Sequence, residues 1–507
     1  MSHNVFELFA DRFADHLDKP FLRTPGEPTC TYGDMERRSA AFATLLAASG
    51  AQVGDRVVTQ VDKSIDAVAL YLACLRAGLV YVPLNTAYTA EEVGYFIGDA
   101  DAAVFVFSPE RAEKLQPVGE IAGVASLFTL GVSGDGTLAD LAASMTDVHH
   151  EVVPRAGDDL ACMLYTSGTT GRSKGAMLTH ANLASNGLAL HTIWRWREGD
   201  VLLHSLPIFH VHGLFVALHC AMLNASEVIF LPRFDVDDVR TYLPEATVMM
   251  GVPTHYTRLL ADDDFDPEDC SSIRMFTSGS APMTPPVFAE FTARTGHTIC
   301  ERYGMTECGI ITSNPPEGKR VAGTVGYALP KVELRVVDDE GRPVGDDVIG
   351  TVEVKGPNVF PGYWQLPDKT AEEMTDDGFF RTGDIGSMAS DGRLTLVGRS
   401  SDMIISGGYN VYPKEIELLL DGVDGVSETA VVGLPHPDFG EGVAAFVVGD
   451  ESIDEEALSD ALAERVARFK QPKAYIFVDD LPRNAMGKVQ KGQLRQDYAE
   501  AFALSDL

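Results

Sequence analysis

At 507 residues the chain exceeds what one hydrophobic core serves, and two to four domains are expected of an ordinary globular composition, 45% hydrophobic and 22% charged. A net charge of −34 spread along the chain excludes general nucleic-acid binding, because a phosphate backbone would be repelled. No apolar run approaches the ~20 residues that span a bilayer, the first residues lack a signal-peptide profile, and the seven cysteines show neither metal-ligand spacing nor a disulfide framework, so a cytoplasmic protein without membrane partners is expected.

Val5, Phe6, Leu8, Phe9 and Phe13 recur at helical spacing. Helices are then expected over residues 35–48 and 67–77, and strands over 57–61, 79–84 and 103–107. Thr89 and Glu92 form a capping box, in which the hydroxyl takes the third amide and the carboxylate returns a bond to the cap. Strands separated by helices imply a parallel sheet with both faces covered. The pattern resumes with strands at residues 201–204, 227–231, 247–251 and 274–277. Past about residue 320, short strands at 332–337 and 350–354 alternate with Gly, Asp and Pro turns, which predicts an antiparallel, barrel-like subdomain. At Gly398-Arg399-Ser400-Ser401-Asp402 the pattern breaks into a compact final unit. That unit has a helix from Pro413, strands at 429–432, 444–448 and 475–478, and a helix over 455–469. The expected fold is therefore α/β: a large N-terminal body of parallel α/β subdomains with a β-barrel-like subdomain (residues 1–399), and a small mobile α+β C-terminal lid (residues 400–507).

The apolar run at 160–164 leads into Tyr165-Thr166-Ser167-Gly168-Thr169-Thr170-Gly171-Arg172-Ser173-Lys174-Gly175. Glycines let backbone amides converge on an anion, and hydroxyls and a lysine add donors, so this is a phosphate-gripping loop. It is not a Walker A loop, since the position five after Gly168 is Ser173 and Lys174 is followed by Gly175. Four motifs follow it: Ser278-Gly279-Ser280-Ala281-Pro282, Glu301-Arg302-Tyr303-Gly304-Met305-Thr306-Glu307, Arg381-Thr382-Gly383-Asp384 and Pro482-Arg483-Asn484-Ala485-Met486-Gly487-Lys488. Any one alone could be a turn. Together, in this order and spacing, they closely resemble the adenylate-forming superfamily of acyl-CoA synthetases, luciferases and adenylation domains, over essentially the whole chain.

That resemblance implies ATP, Mg²⁺ and coenzyme A as cofactors and co-substrate. Thr166, Ser167, Gly168, Thr169, Thr170 and Lys174 would hold the β and γ phosphates. Tyr303 would stack on adenine, with the backbone of Gly279, Ser280 and Ala281 on the other face. Thr306 would bond the α phosphate, Glu307 would ligate Mg²⁺, and Asp384 and Arg399 would meet the ribose. Lys488 would bridge the α phosphate and the incoming carboxylate, and its exposed loop would also suit control by a lysine acetyltransferase and deacetylase. In this family the lid rotates between half-reactions; here Ser401 stands at the hinge, and Gly407 and Gly408 would line the thiol tunnel.

His210 would gate the acyl pocket, with Ser280 beside it. His210 and His212 have the His-x-His spacing of a metal pair but no third ligand in suitable context, and Cys300 and Cys308 read as packing residues. Arg302, one position before the tyrosine, is poorly suited to a fatty tail. It either pairs with Glu301 or Glu307 or anchors a second carboxylate through a bidentate bond; Arg258 is a second cation, expected at the surface. Phrases such as Leu206-Pro207-Ile208-Phe209-His210-Val211-His212-Gly213 and Met250-Gly251-Val252-Pro253-Thr254 resemble the malonyl-CoA synthetase branch, which implies a small dicarboxylic acid, malonate or methylmalonate. The alternatives are a generic short- or medium-chain acyl-CoA synthetase and, from another class, a nucleotide-binding regulator without catalysis.

Overall fold

The computed structural model describes residues 3–145, 148–166, 173–407, 409–450, 453–463, 465–484 and 487–502. Ser167, Gly168, Thr169, Thr170 and Gly408, named above, lie outside the described residues.

Two sheets make the N-terminal body. One has six strands in the order Ser126–Thr129, Ala102–Phe107, Arg56–Gln60, Val80–Pro83, Leu160–Thr166 and Lys174–Thr179. Its pairs are parallel except the last, where Leu160–Thr166 and Lys174–Thr179 run antiparallel and bring Thr166 opposite Lys174. The second has nine strands, with a parallel centre of Glu227–Phe230, Val201–His204, Val248–Gly251, Met275–Ser278 and Cys300–Met305. Val248–Gly251 and Met275–Ser278 are buried along their whole length, which is why they read as unbroken apolar runs rather than alternating ones. The helix Ile65–Arg76 is buried on all sides, as a helix apolar all round should be, and Ser64 caps it by accepting from the Ala67 amide. The capping box at Thr89 and Glu92 forms as expected.

The region past residue 320 is a four-stranded antiparallel meander, Glu333–Val337, Gly350–Lys355, Phe380–Met388 and Leu394–Arg399, each strand paired with the next. Antiparallel pairing is as predicted. The barrel-like shape is not, because among the described residues no pair joins the first strand to the last. The register sets Asp384 directly opposite Arg399.

After Arg399 a short helical turn, Ser400–Asp402, leads into a separate sheet of Tyr409–Val411, Ile404–Ser406, Gly440–Gly449 and Val426–His436, with Ala474–Phe477 added to Gly440–Gly449 in parallel. Ile416, Leu420, Leu458 and Leu462, from the helices Pro413–Leu420 and Glu455–Ala463, fill one face; Leu481, Leu494 and Phe502 fill the other. The helix expected over 455–469 is described only over Glu455–Ala463. Beyond it the Arg465 and Val466 amides both turn back to the Leu462 carbonyl, so Val466 and Phe469 reach the apolar cluster from a turn. No helix among the described residues is long and apolar enough to cross a membrane.

Candidate active site

Parallel strands deliver four of the predicted segments to one edge of the nine-stranded sheet. Gly251 lies beside Ser278, and Ser278 beside Glu301, so the segments after His204, Gly251, Ser278 and Met305 leave the sheet at its carboxyl edge. In open α/β sheets that edge is where ligands bind.

On the phosphate-loop side, Lys174 Nζ is 3.2 Å from Glu373 Oε1 and 4.0 Å from the centre of the Tyr363 ring. The Tyr363 hydroxyl lies 3.0 Å from Glu307 Oε1 and 2.8 Å from Glu373 Oε2, one proton between two carboxylates. Burial raises the Glu307 carboxyl above its ordinary range, against the bond from Tyr363 and the charges of Arg399 and Lys174. Tyr363 and Glu373 were not anticipated. Glu373 is 199 residues from Lys174, and nothing local in the sequence links them.

Asp384 is the centre of the second cluster. It is buried, accepts the Tyr303 hydroxyl and sits 2.9 Å from Arg399 Nε. Its own amide donates to Thr382 Oγ1 at 3.0 Å, and that hydroxyl donates to the Val352 carbonyl at 2.8 Å, so the carboxylate is held from behind. Lys488 enters the same cluster. Its side chain lies in a cleft open to solvent yet surrounded by protein; burial and then Arg399 lower its basicity, while Asp384 and Asp402 raise it.

The loop that carries Lys488 is tied at both ends. The Asn484 amide donates to the Lys488 carbonyl, the Gly487 amide to the Asn484 carbonyl, and Arg483 Nη1 to the Gly487 carbonyl, all at 2.9 Å. Arg483 is in turn paired with Glu428 on the strand Val426–His436 of the C-terminal sheet. Gly487 has φ +72°, and a Cβ there would lie 2.8 Å from Thr254 Oγ1 of the body, so only glycine allows so close an approach. The Gly407 turn (φ +59°) has its described contacts within the C-terminal unit, its amide donating to the Phe439 carbonyl at 2.9 Å.

Arg302 lies on the strand Cys300–Met305. It is 5% exposed, and neither its Nε nor its Nη2 has a hydrogen-bond partner among the described residues. No ion pair joins it to Glu301 or Glu307 among those residues. Glu301 is unsuited to that role, since burial pushes its carboxyl up to about 8 and its bond is from the Gly323 amide at 3.1 Å. Burial brings Arg302 itself down to about 10, still a cation at neutral pH. The guanidinium packs on Gly279, where an added Cβ would fall 2.5 Å from Cζ. Ser280 follows in a left-handed conformation, φ +70°, with Oγ 3.3 Å from His212 Nδ1.

His210 is held neutral, its pKa lowered to about 4 by burial, and packs at 4.7 Å on Phe209. Thr306 sits half-buried beside Asn182, Asn186 and Gly309. Ala281 is half-buried and Arg258 is exposed. Cys300 and Cys308 are buried, with thiols raised by that burial, as packing residues should be. Among the described residues no group of three or more His, Cys, Asp or Glu side chains could hold a metal.

The AMP-binding enzyme family model matches residues 9–364, and that of the AMP-binding enzyme C-terminal domain matches residues 415–488. The chain belongs to the AMP-binding enzyme family. This AMP-binding enzyme is 35% identical to the malonate–CoA ligase of Arabidopsis thaliana over 513 residues, 95% of this chain and 82% of that protein. Its structure matches that of ATP-bound MatB from Rhodopseudomonas palustris with a TM-score of 0.95 at 49% identity, covering 99% of this chain and 100% of the other. Apo MatB from the same organism gives 0.86 at 48% identity, with the same coverage.

Proposed function

We propose that this AMP-binding enzyme is an ATP-dependent malonyl-CoA synthetase that also takes methylmalonate. A carboxylate oxygen of the acid attacks the α phosphorus of ATP, the bond from that phosphorus to the β-phosphate oxygen breaks, and pyrophosphate leaves. The sulfur of CoA then attacks the acyl carbon of the mixed anhydride, the bond to AMP breaks, AMP leaves, and the thiol proton passes to solvent. The name of the Arabidopsis relative and the likeness to MatB support this reading. The observation that carries it within the chain is Arg302, a buried guanidinium with two undirected donors and no acid partner among the described residues.

Each cluster has a task in this scheme. Lys488 offsets the repulsion between the α phosphate and the attacking carboxylate. Asp384 accepts from the ribose hydroxyls while Arg399 and Tyr303 fix its orientation. Lys174 exchanges Glu373 for the outer phosphates, helped by the loop from Thr166. Glu307, a buried oxygen donor beside the phosphate loop, fits a hard divalent cation that binds one or two carboxylates and phosphate oxygens, and Mg²⁺ held there would neutralise phosphate charge. Thr306 bonds the α phosphate. Residues 1–399 form the adenylating body, and residues 400–507 a lid that turns about Ser401, withdraws Lys488 and brings Gly407 and Gly408 to the thiol path. Acetylation of Lys488 would switch off the first half-reaction.

Thioester products from ATP, Mg²⁺, CoA and a panel of malonate, methylmalonate, succinate, acetate and butyrate, read by mass spectrometry, test the assignment. Malonyl- and methylmalonyl-CoA are the expected main products. Arg302→Met should lower kcat/KM for malonate by roughly 10²–10³-fold, the cost of truncating one side of a buried charge pair. A wild type that favours acetate or butyrate would leave the adenylating chemistry standing and end the dicarboxylate reading.

A further inference from the structure

His212 is 3% exposed, and its Nε2 has no hydrogen-bond partner among the described residues. A buried polar atom without a partner costs about 1–3 kcal/mol, so one retained where the orphaned donors of Arg302 also act points to a ligand. Its other nitrogen is engaged: Nδ1 faces Ser280 Oγ at 3.3 Å, and Ser280 adjoins the Gly279 on which Arg302 packs. With the serine hydroxyl donating to Nδ1, the ring proton sits on Nε2, making that atom a donor.

The backbone under His212 is locked in place. Lys63 Nζ donates to His204 Nδ1 at 2.8 Å, which puts the His204 proton on Nε2, and this donates to the Gly213 carbonyl at 3.0 Å. Gly213 is itself pressed against the Pro207 carbonyl, where an added Cβ would lie 2.1 Å away. His212 opens the wide helical turn His212–Leu218, buried throughout. Burial and the nearby charge of Arg302 keep its imidazole neutral, and the other groups acting on it, His255, His204 and His210, are likewise held neutral by burial.

We propose that His212 Nε2–H is a second donor to the distal carboxylate of the acid, set by Ser280 and acting beside Arg302, and is thus a specificity-determining residue. The inference rests on the dicarboxylate reading above. It explains why a single chain segment supplies two histidines with different tasks: His210 stands at the gate and His212 at the far end. A neutral donor next to one cation suits a single carboxylate group and leaves the pocket without a second positive charge of its own.

The test compares wild type with His212→Leu, His212→Gln, Ser280→Ala and Arg302→Met, following pyrophosphate release with malonate and with butyrate and titrating ATP in each. Loss of one hydrogen bond to a charged group predicts a malonate KM raised ~10- to 100-fold in His212→Leu, an ATP KM within about twofold of wild type when measured with butyrate, and no fall in butyrate turnover. The glutamine amide reaches the Nε2 position and should restore most of the malonate affinity, while Ser280→Ala should raise the malonate KM about threefold. Equal losses with both acids, or an ATP KM that rises in step, would mean a structural role and overturn the proposal. Should His212→Leu be insoluble, Ser280→Ala decides: an unchanged malonate KM overturns it. Loss of malonate selectivity in Arg302→Met but not in His212→Leu would overturn this inference and leave the dicarboxylate reading intact. A wild type that prefers butyrate would end both.

Discussion

Lys488→Gln is expected to lower ATP-dependent thioester formation on the order of 10²–10³-fold while leaving the conversion of synthetic malonyl-AMP to malonyl-CoA near the wild-type rate. The substitution keeps a polar, hydrogen-bonding end on a side chain one bond shorter and removes the charge. In the cleft that charge stands with Arg399 and faces Asp384 and Asp402, where solvent screens it incompletely. Two anions must meet there in the first half-reaction, and none needs neutralising at the same place in the second. The loop does not depend on the side chain, since its ties run through Asn484, Gly487 and Arg483, so the variant should fold normally. Pyrophosphate–ATP exchange and thiolysis of the preformed adenylate read the two halves separately. Normal exchange, or equal loss in both halves, would remove Lys488 from the role given to it.

Asp384→Ala should damage stability and nucleotide affinity together. The carboxylate is the acceptor for the buried Tyr303 hydroxyl and the ion-pair partner of the half-buried Arg399, so its loss leaves both donors without that acceptor. Arg399 is 34% exposed on its side chain, which lets water recover part of the cost. About 2–4 kcal/mol is expected, below the figure for a fully buried pair. The ATP KM should rise at least ~10²-fold, since a ribose would face an unpaired guanidinium in place of an acceptor. Asp384→Asn, which keeps an acceptor for Tyr303, should recover much of the stability and little of the ATP affinity. Denaturant midpoints and ATP titrations on both variants separate the two effects. An unchanged ATP KM in Asp384→Ala would place the ribose elsewhere.

Local periodicity and cap chemistry revealed most elements to within a few residues. The helix at Val5–Ala14, the box at Thr89 and the strand Val201–His204 depend on neighbours in sequence, and these were legible. What depends on distant partners was not. Whether the strands after Glu333 close on themselves is decided by pairing between the first and the last, which turn residues do not encode. The stretch from Arg465 looks helical by composition but turns so that Val466 and Phe469 reach the apolar cluster of the C-terminal unit.

The site divides along the same line. Arg302, Asp384 and Lys488 stood out because each sits in a motif, but their settings did not. That Arg302 lacks an acid partner among the described residues is a fact about Glu301, whose carboxyl is turned to the Gly323 amide. Glu373 and Tyr363, which hold Lys174, carry no motif of their own. His212 was read only as half of a metal-like pair, because the orphaned nitrogen that marks it exists only once Ser280 has taken the other one.

The left-handed turn at Ser280 joins two sites that the chemistry treats as separate. On the assignments proposed here its backbone is one wall of the adenine slot, and its hydroxyl orients the imidazole that meets the acid. A ligand on either side therefore orders a wall used by the other. Such coupling is reciprocal: whatever factor the dicarboxylate adds to nucleotide affinity, the nucleotide must return to the dicarboxylate. Selectivity among acids would then grow with nucleotide occupancy, so that an enzyme short of ATP would be a less discriminating one as well as a slower one.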